Sequence, residues 1–432
     1  MEIKEVIDSL GLGESRVVEK SDDYVAIIVK VPYSSSMLST EEGIQQSLNE
    51  VGKQATECAL SRYDTDGSPI SVAKMRYTSK GLSPKYYQTP YGEVYLQRHV
   101  YQSSDGGAIY CPLEQGASII GGTTTPRFAK IVSSKYSRGG SKATRQDLLE
   151  SNGRSVARCY IQNISKSVGD VIDSRPSWTY AIPVAPKDVA SVGISLDGTC
   201  MLICGDGYRQ AMVGSISLYN SDGERLYTRY SAMPPESKKK RFYENFTREI
   251  KNIKRLYPKS TYVGIADGAA DNWTFLEQFV GEQVLDYFHA TEYLASVAKA
   301  TYKRPFDEKA WFDRAKHTLR EEADGANTLL EEMKTFLKKR ITDAKKEKIQ
   351  AAITYFSNHL HQMNYQQYKK SNLPIGSGVV EAACKVIIKQ RLCCAGMKWT
   401  DSGAKTVLTL RCMNESDRIW EQFWDKKRKN IK

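Results

Sequence analysis

The stretch Val189-Ala-Ser-Val-Gly-Ile-Ser-Leu-Asp-Gly-Thr199 is the part of the chain that most directly predicts a fold. Val192, Ile194 and Leu196 are apolar at every second position and small residues lie between them, which predicts a buried β-strand. The strand carries a carboxylate, Asp197, in a run that is otherwise uncharged. A buried carboxylate is costly unless it is hydrogen-bonded, paired or bound to a metal. Asp197 is therefore the first candidate functional residue.

The segments that follow predict an α/β sheet built around this strand. In order they are strands over 189–204, 211–219 and 225–232 with Asp-Gly turns between them, a helix over 236–256, a buried strand over 261–267, a helix over 271–279 and a strand over 283–289. This is the order of elements in a ribonuclease-H-like core. In that fold the first and fourth strands are neighbours, which would bring Asp197 close to Asp267.

A third carboxylate, Glu381, lies on a helix predicted over 379–392. Three carboxylates suit Mg²⁺ or Mn²⁺, and a pair of such ions can support in-line phosphoryl transfer. A plainer interpretation stays open, since Asp-Gly pairs such as those at Asp197 and Asp267 are common turn signals and most helical glutamates are solvated. The strand that leads directly into each aspartate favours the metal-site interpretation.

Four motifs in this order resemble those of DDE transposases, and more closely the Mutator-like bacterial insertion-sequence transposases of the Kra type. They are Ser-Leu-Asp197-Gly-Thr, Ile-Ala-Asp267-Gly-Ala, Asp286-Tyr-Phe-His289 and Gly376-Ser-Gly-Val-Val-Glu381. Gly396-Met-Lys-Trp399 and Thr89-Pro-Tyr-Gly-Glu-Val94 also match that group. The resemblance covers most of the chain from about residue 85 and is strongest from 189 to 412.

The resemblance implies metal-dependent cleavage of transposon-end DNA and strand transfer to a target. It implies that Asp197, Asp267 and Glu381 are the catalytic triad and the metal ligands, with Mg²⁺ or Mn²⁺ as two ions. It also implies a helical insertion between Asp267 and Glu381. Asp286 and His289 match the family's C/D-x-x-H motif, for which a catalytic role and a structural hydrogen-bonded pair both remain open.

A helix-turn-helix pattern precedes the core. Helices are predicted over 141–149 and 154–168, on either side of a Ser-Asn-Gly turn. The second helix carries side chains suited to phosphates and base edges, namely Arg154, Arg158, Asn163 and Lys166. Two ordinary core helices joined by a glycine turn are an equally good interpretation of the pattern.

Other features indicate DNA as the partner. The net charge of +12 favours a polyanion. Arg391, Lys398 and Trp399 in a basic loop are further candidate DNA contacts, the tryptophan by stacking on an unpaired base. The nine cysteines include no Cys-x-x-Cys pair, and segments 70–74 and 103–107, where relatives often carry paired cysteines, contain none. A zinc site is therefore not expected.

The expected organisation is a small mixed α/β region with a hairpin (1–120), a helix-turn-helix-like DNA-binding domain (121–175), the first part of a ribonuclease-H-like core (188–290), an all-helical insertion (291–370) and the end of the core (371–432). No membrane span or signal peptide is evident, so we expect a bacterial cytoplasmic protein associated with the nucleoid. Because two transposon ends must be held together, we expect a homodimer or higher oligomer on DNA. A structure-specific nuclease without strand transfer and a domesticated DNA-binding protein remain alternatives.

Overall fold

A computed structural model describes residues 3–174, 182, 185–236 and 239–429. The chain is mixed α/β and divides into two compact units, one comprising Met1–Ser174 with Glu421–Lys432 and the other Arg175–Trp420. The boundary after Ser174 lies next to the predicted end of the helix-turn-helix-like domain at residue 175, whereas the sequence analysis starts the core at residue 188. The final residues group with the N-terminal unit, whereas the sequence-based division placed them in the core. Most of the predicted interdomain segment, 176–187, lies outside the described residues.

The N-terminal unit begins with α1 (Ile3–Ser9), the antiparallel pair β1 (Ser15–Lys20) and β2 (Val25–Val29), and the long helix α2 (Met37–Ser61). A four-stranded antiparallel sheet follows, with β3 (Ile70–Val72), β4 (Met75–Gln88), β5 (Glu93–Ser103) and β6 (Gly106–Tyr110), and then the short helix α3 (Pro112–Gly116). The predicted hairpin is formed by β5 and β6. Tyr87, Val94 and Leu113 are buried in the core of this region.

Three helices complete the N-terminal unit: α4 (Pro126–Arg138), α5 (Ser141–Asn152) and α6 (Arg158–Asp173). They pack against one another and bury Phe128, Leu148 and Ile161. Helix α5 ends at Gly153, whose φ of 63° is a left-handed conformation that favours glycine. The sequence predicts that this last helix begins at Arg154, but α6 begins at Arg158 and residues 154–157 form a non-helical connection.

The second unit is built on a five-stranded sheet of β7 (Ser191–Ile203), β8 (Gly207–Tyr219), β9 (Arg225–Met233), β10 (Thr261–Ala266) and β11 (Glu282–Leu285). The strand order is β11-β10-β7-β8-β9. Strands β7, β8 and β9 are antiparallel, whereas β7, β10 and β11 run parallel, with Ile194 opposite Gly264. The predicted adjacency of the first and fourth strands is therefore confirmed.

Two helices connect the strands of this sheet: α7 (Lys240–Leu256) and α8 (Ala270–Leu276). Helix α7 buries Phe242, Phe246 and Ile250 at intervals of four residues, as expected of an amphipathic helix against a sheet. The Phe246 ring lies so close to Gly214 of β8 that a Cβ there would come within 2.6 Å of it. Glycine at this position therefore permits the close approach of α7 to the sheet.

The segment between β11 and the last part of the unit is helical, as predicted. It comprises α9 (Tyr287–Thr301), α10 (Pro305–Glu321), α11 (Gly325–Phe336), α12 (Asp343–His359), a 3₁₀ turn (Leu360–Gln362) and α13 (Tyr365–Lys370). These helices share one hydrophobic cluster with the sheet. The Tyr365 hydroxyl donates a hydrogen bond to the Leu285 carbonyl oxygen at 2.9 Å, which fastens the helices to the end of β11.

A helical stretch over 378–392 returns the chain to the sheet. It consists of α14 (Gly378–Ala383), a π-helical segment (Cys384–Lys389) and α15 (Gln390–Leu392), and α16 (Asp401–Glu415) and α17 (Ile419–Lys429) follow. Among the described residues, no helix combines the length and the apolar character needed to cross a bilayer.

Candidate active site

Three parallel strands deliver carboxylates to the same edge of the five-stranded sheet. Asp197 lies on β7, Asp267 directly follows β10, and Asp286 directly follows β11. Strand β10 lies between β7 and β11, all three run parallel, and Ile265 is paired with Ser195 and with Val284. Asp197, in the middle of the longer β7, therefore lies level with the ends of β10 and β11. After Asp267 the chain turns at Gly268, whose φ of 101° is readily adopted only by glycine.

The Asp197 carboxylate is half-buried, and burial is the main reason why its pKa is raised above the usual range. Hydrogen bonds from the Gly198 N–H and the Cys384 thiol oppose this rise, whereas the negative charges of Asp267 and Glu381 add to it. Asp267 and Glu381, the other two residues predicted for the catalytic triad, therefore lie near enough for their charges to act on Asp197. Such a concentration of negative charge favours binding of a cation.

Asp286 is fully buried and forms the N-cap of α9, where its carboxylate accepts a hydrogen bond from the Phe288 N–H at 2.7 Å. An N-cap aspartate satisfies one of the backbone N–H groups left free at the start of a helix. His289 lies in the first turn of the same helix, with 38% of its side chain exposed. The Asp-x-x-His motif thus has a structural explanation, since its first residue starts the helix that carries the second.

Glu381 lies on α14 with its carboxylate turned toward Asp286 and His289. The Ser377 hydroxyl is 2.6 Å from Glu381 Oε1 and also contacts Asp286 Oδ2, while His289 Nε2 is 3.9 Å from Glu381 Oε1. The potential ligand atoms of Asp286, His289 and Glu381 all lie within 4.8 Å of one another, so this trio could hold a metal ion. Within the described parts of the chain, that compact group does not include Asp197.

A hydrogen bond links the carboxyl groups of Asp286 and Glu381 and shifts their pKa values in opposite directions. Burial, and after it this hydrogen bond, raises the pKa of Asp286 to about 6. The pKa of Glu381 is held below its usual range, first by the hydrogen bond with Asp286 and further by Ser377 and the nearby His289. Of the two carboxyl groups, the buried Asp286 therefore takes up a proton first as the pH falls, and Glu381 keeps its negative charge to lower pH.

An open cavity of about 840 Å³ adjoins these residues. Asp197, Thr199, His289, Glu381 and the side chains of the 378–392 helix line it. Two of those side chains, Lys385 and Lys389, are exposed and lie four and eight residues after Glu381. Sequence reasoning did not select these lysines, although their i+4 and i+8 spacing would have placed them on the same side of a helix as Glu381.

Cys384 is a second residue that sequence reasoning missed. Its side chain is buried and lies one helical turn after Glu381, facing Asp197. Burial and the neighbouring Asp197 carboxylate raise the pKa of the thiol, so Cys384 remains a protonated donor. The i+3 spacing from Glu381 is the only sequence signal that points to it, and that signal has meaning only once Glu381 is assigned to the site.

The candidate DNA contacts of the N-terminal unit differ in their exposure to solvent. Arg154 is half-buried, donates hydrogen bonds to the Thr89 carbonyl and to Gln88 Oε1, and stacks on Phe128 with 5.3 Å from its guanidinium carbon to the ring centre. It therefore joins the loop to the sheet and does not lie on the second helix, which corrects the prediction. Three predicted contacts, Arg158, Asn163 and Lys166, are exposed on α6.

In the loop after the glutamate helix, Arg391 is almost completely buried and stacks on Trp399, with 5.1 Å between its guanidinium carbon and the ring centre. The Trp399 Nε1–H donates to the Leu392 carbonyl oxygen, and the Trp399 backbone pairs with Ile203 at the end of β7. The burial of Arg391 against protein groups disagrees with its prediction as a DNA contact, whereas Trp399 is only partly buried and its contact with DNA stays a prediction. Lys398 is exposed.

A scan against protein-family models and a search of curated proteins both find no match to this chain.

Proposed function

We propose that this protein is a DDE transposase, which binds transposon-end DNA, cleaves it and transfers the cut strand to target DNA in metal-dependent phosphoryl-transfer reactions. One observation carries the proposal: Asp197 and Asp267, which the sequence motifs single out, lie at the same level of two adjacent parallel strands, and Glu381 lines the same cavity as Asp197. Carboxylates that a fold brings together indicate a functional site, because like charges at close range are costly unless a cation or a proton offsets them.

The topology supports a ribonuclease-H-like core. The antiparallel trio β7–β8–β9 continues into the parallel strands β10 and β11, and the strands that carry the two aspartates are adjacent. The helical segment α9 to α13 lies between the second aspartate and the glutamate, where the resemblance to Mutator-like transposases places an insertion.

The donor atoms fit a divalent cation that prefers oxygen ligands. Asp197, Asp267 and Glu381 offer carboxylate oxygens, and His289 lies beside Glu381. The negative charges of Asp267 and Glu381 add to the rise in the pKa of Asp197 that burial causes, and a bound cation would offset those charges. We infer that the three carboxylates would hold Mg²⁺ or Mn²⁺, as two ions. When bound, such ions activate the attacking oxygen and stabilise the leaving oxygen.

The remaining residues of the site would bind and orient the DNA. Lys385 and Lys389 line the cavity beside the carboxylates, where their ammonium groups can contact phosphates on either side of the cleaved bond. The exposed face of α6, with Arg158, Asn163 and Lys166, is suited to a DNA groove, and Lys398 offers another phosphate contact. Since both transposon ends must be held together, we expect the protein to act as a dimer or higher oligomer on DNA.

The test uses labelled DNA taken from the sequences on either side of the gene, where the ends of a transposon would lie, with Mg²⁺ or Mn²⁺. Asp197→Asn, Asp267→Asn and Glu381→Gln should each bind this DNA but neither cleave nor join it, because each removes a negative charge from the cluster. Asp222→Asn is the matched control, since Asp222 is an exposed residue in the turn between β8 and β9, also followed by glycine, and this variant should retain full activity.

The products separate the alternatives. Cleavage without joining would indicate a structure-specific nuclease, and DNA binding by the wild type without any cleavage would indicate a DNA-binding protein that lacks the reaction. If the three carboxylate variants retain wild-type cleavage, the assignment of the active site is wrong.

A further inference from the structure

Ser377 lies between two of the acidic residues described above. It is 3% exposed and directly precedes α14, and its hydroxyl contacts both Glu381 and Asp286. Although Ser377 occupies the N-cap position of α14, its side chain makes no capping hydrogen bond to the helix. The hydroxyl therefore lies within hydrogen-bond distance of both carboxyl groups, and its single proton can be donated to only one of them at a time.

The two side chains that the Ser377 hydroxyl contacts differ in their freedom to move. Asp286 is fully buried and held by the Phe288 N–H, so it is the fixed end. The Glu381 side chain is 45% exposed and faces the cavity, so it can change rotamer. In the arrangement seen here, the Glu381 carboxylate is grouped with Asp286 and His289, and Asp197 lies outside that group of ligand atoms in the described structure.

We propose that Ser377 is a positioning residue that fastens the Glu381 carboxylate to Asp286 while no divalent cation is bound. Ser377 holds Glu381 Oε1 on the side of Asp286, away from the ligand atoms of Asp197, so this oxygen has to release the Ser377 hydroxyl before it can bind a cation shared with Asp197 and Asp267. Cation binding therefore competes with the Ser377–Glu381 hydrogen bond. This inference rests on the proposed function, because it takes Glu381 to be a metal ligand.

The test is a titration with Mn²⁺ in the absence of DNA, followed by calorimetry and by the electron paramagnetic resonance of free Mn²⁺. It uses the full-length protein, Ser377→Ala and Ser377→Thr. Because a hydrogen bond to a charged group is lost, Ser377→Ala should bind Mn²⁺ about tenfold more tightly than the wild type. Ser377→Thr retains the hydroxyl and should bind Mn²⁺ as the wild type does.

Ser371→Ala is the matched control, since Ser371 is an exposed serine before the same helix, and it should bind Mn²⁺ with wild-type affinity. Thermal unfolding without metal verifies that each variant is folded. If Ser377→Ala binds Mn²⁺ as the wild type does, or more weakly, the inference is wrong. It is also wrong if Ser377→Thr binds Mn²⁺ as tightly as Ser377→Ala does.

A different outcome of the same titration would contradict the proposed function itself. If the wild type and Glu381→Gln bind Mn²⁺ equally, or if neither binds it, Glu381 is not a metal ligand and the proposed function falls with the inference. If Glu381→Gln weakens binding while Ser377→Ala has no effect, only the role of Ser377 is wrong.

Discussion

The Cys384 thiol donates a hydrogen bond to the Asp197 carboxylate, with 3.3 Å between Sγ and Oδ2. This contact joins the helix that carries Glu381 to the strand that carries Asp197. Because Cys384 lies one helical turn after Glu381, the same helical face brings a carboxylate to the cavity and a donor to Asp197. This hydrogen bond therefore helps to hold the helix that carries Glu381 against Asp197.

Cys384 should react slowly with thiol reagents. The thiolate is the reactive form, and burial together with the neighbouring Asp197 raises the pKa of this thiol. Alkylation of the native protein with iodoacetamide at mildly alkaline pH should therefore modify the exposed Cys200, Cys204 and Cys394 well before Cys384, as measured by peptide mass spectrometry. Equal modification rates in native protein, or faster labelling of Cys384, would show that the helix does not hold the thiol against Asp197.

A buried ion pair stabilises the packing of α7 on the sheet. Arg229 of β9 lies 3.2 Å from Glu249 of α7, and both side chains are less than 5% exposed. Arg229→Leu should lower the free energy of unfolding by about 3–5 kcal/mol, because it deprives a buried carboxylate of its counter-ion. Arg225→Leu, at an exposed position on the same strand, should cost less than about 1 kcal/mol. Urea unfolding measures the loss of stability in each variant. Equal losses for Arg229→Leu and Arg225→Leu would contradict the role assigned to the ion pair.

The Glu114 carboxylate in the N-terminal unit should make the stability of the protein depend on pH. Burial raises the pKa of Glu114, but hydrogen bonds from Lys85, Tyr87 and Arg98 outweigh burial and hold the pKa below its usual 4.5. A lowered pKa in the folded state means that the ionised group stabilises the fold above the unfolded-state pKa. This contribution is lost as the pH falls through the folded-state pKa.

Glu114→Gln should therefore be less stable than the wild type at neutral pH, and the difference should shrink as the pH falls below 4.5. Urea unfolding at a series of pH values measures it. Glu57→Gln, at an exposed position on α2, should show no such trend. A difference that grows toward acid pH would mean that the hydrogen bonds do not favour the ionised form.

The sequence predicted the central sheet well because alternation of apolar residues marks a buried strand directly. Asp197 and Asp267 were found for the same reason, since each is a charge attached to such a strand. Arg154 and Arg391 were predicted as DNA contacts because the sequence shows that they are cationic. It does not show that Arg154 stacks on Phe128 or that Arg391 stacks on Trp399. The preference of Glu381 for Ser377 and Asp286 was unpredictable, because it depends on how a loop and a helix start pack in three dimensions.

The lysines on the glutamate helix should contribute to DNA affinity through charge. Replacing Lys385 and Lys389 by alanine should weaken binding of transposon-end DNA and reduce the steepness of its salt dependence. Each phosphate contact contributes about 0.9 to the slope of log K against log salt, so the double variant should lose up to about 2 in slope. Fluorescence anisotropy at several salt concentrations measures both quantities.

Lys348→Ala provides the comparison, because Lys348 is an exposed lysine on α12 that does not line the cavity. Its DNA affinity and salt slope should match those of the wild type. If the double variant weakens binding while the slope is unchanged, the lysines act on the fold of the site and not on phosphates. If affinity and slope both stay unchanged, the DNA does not pass over this face of the helix, and the backbone on either side of the cleaved bond must be held by other cations.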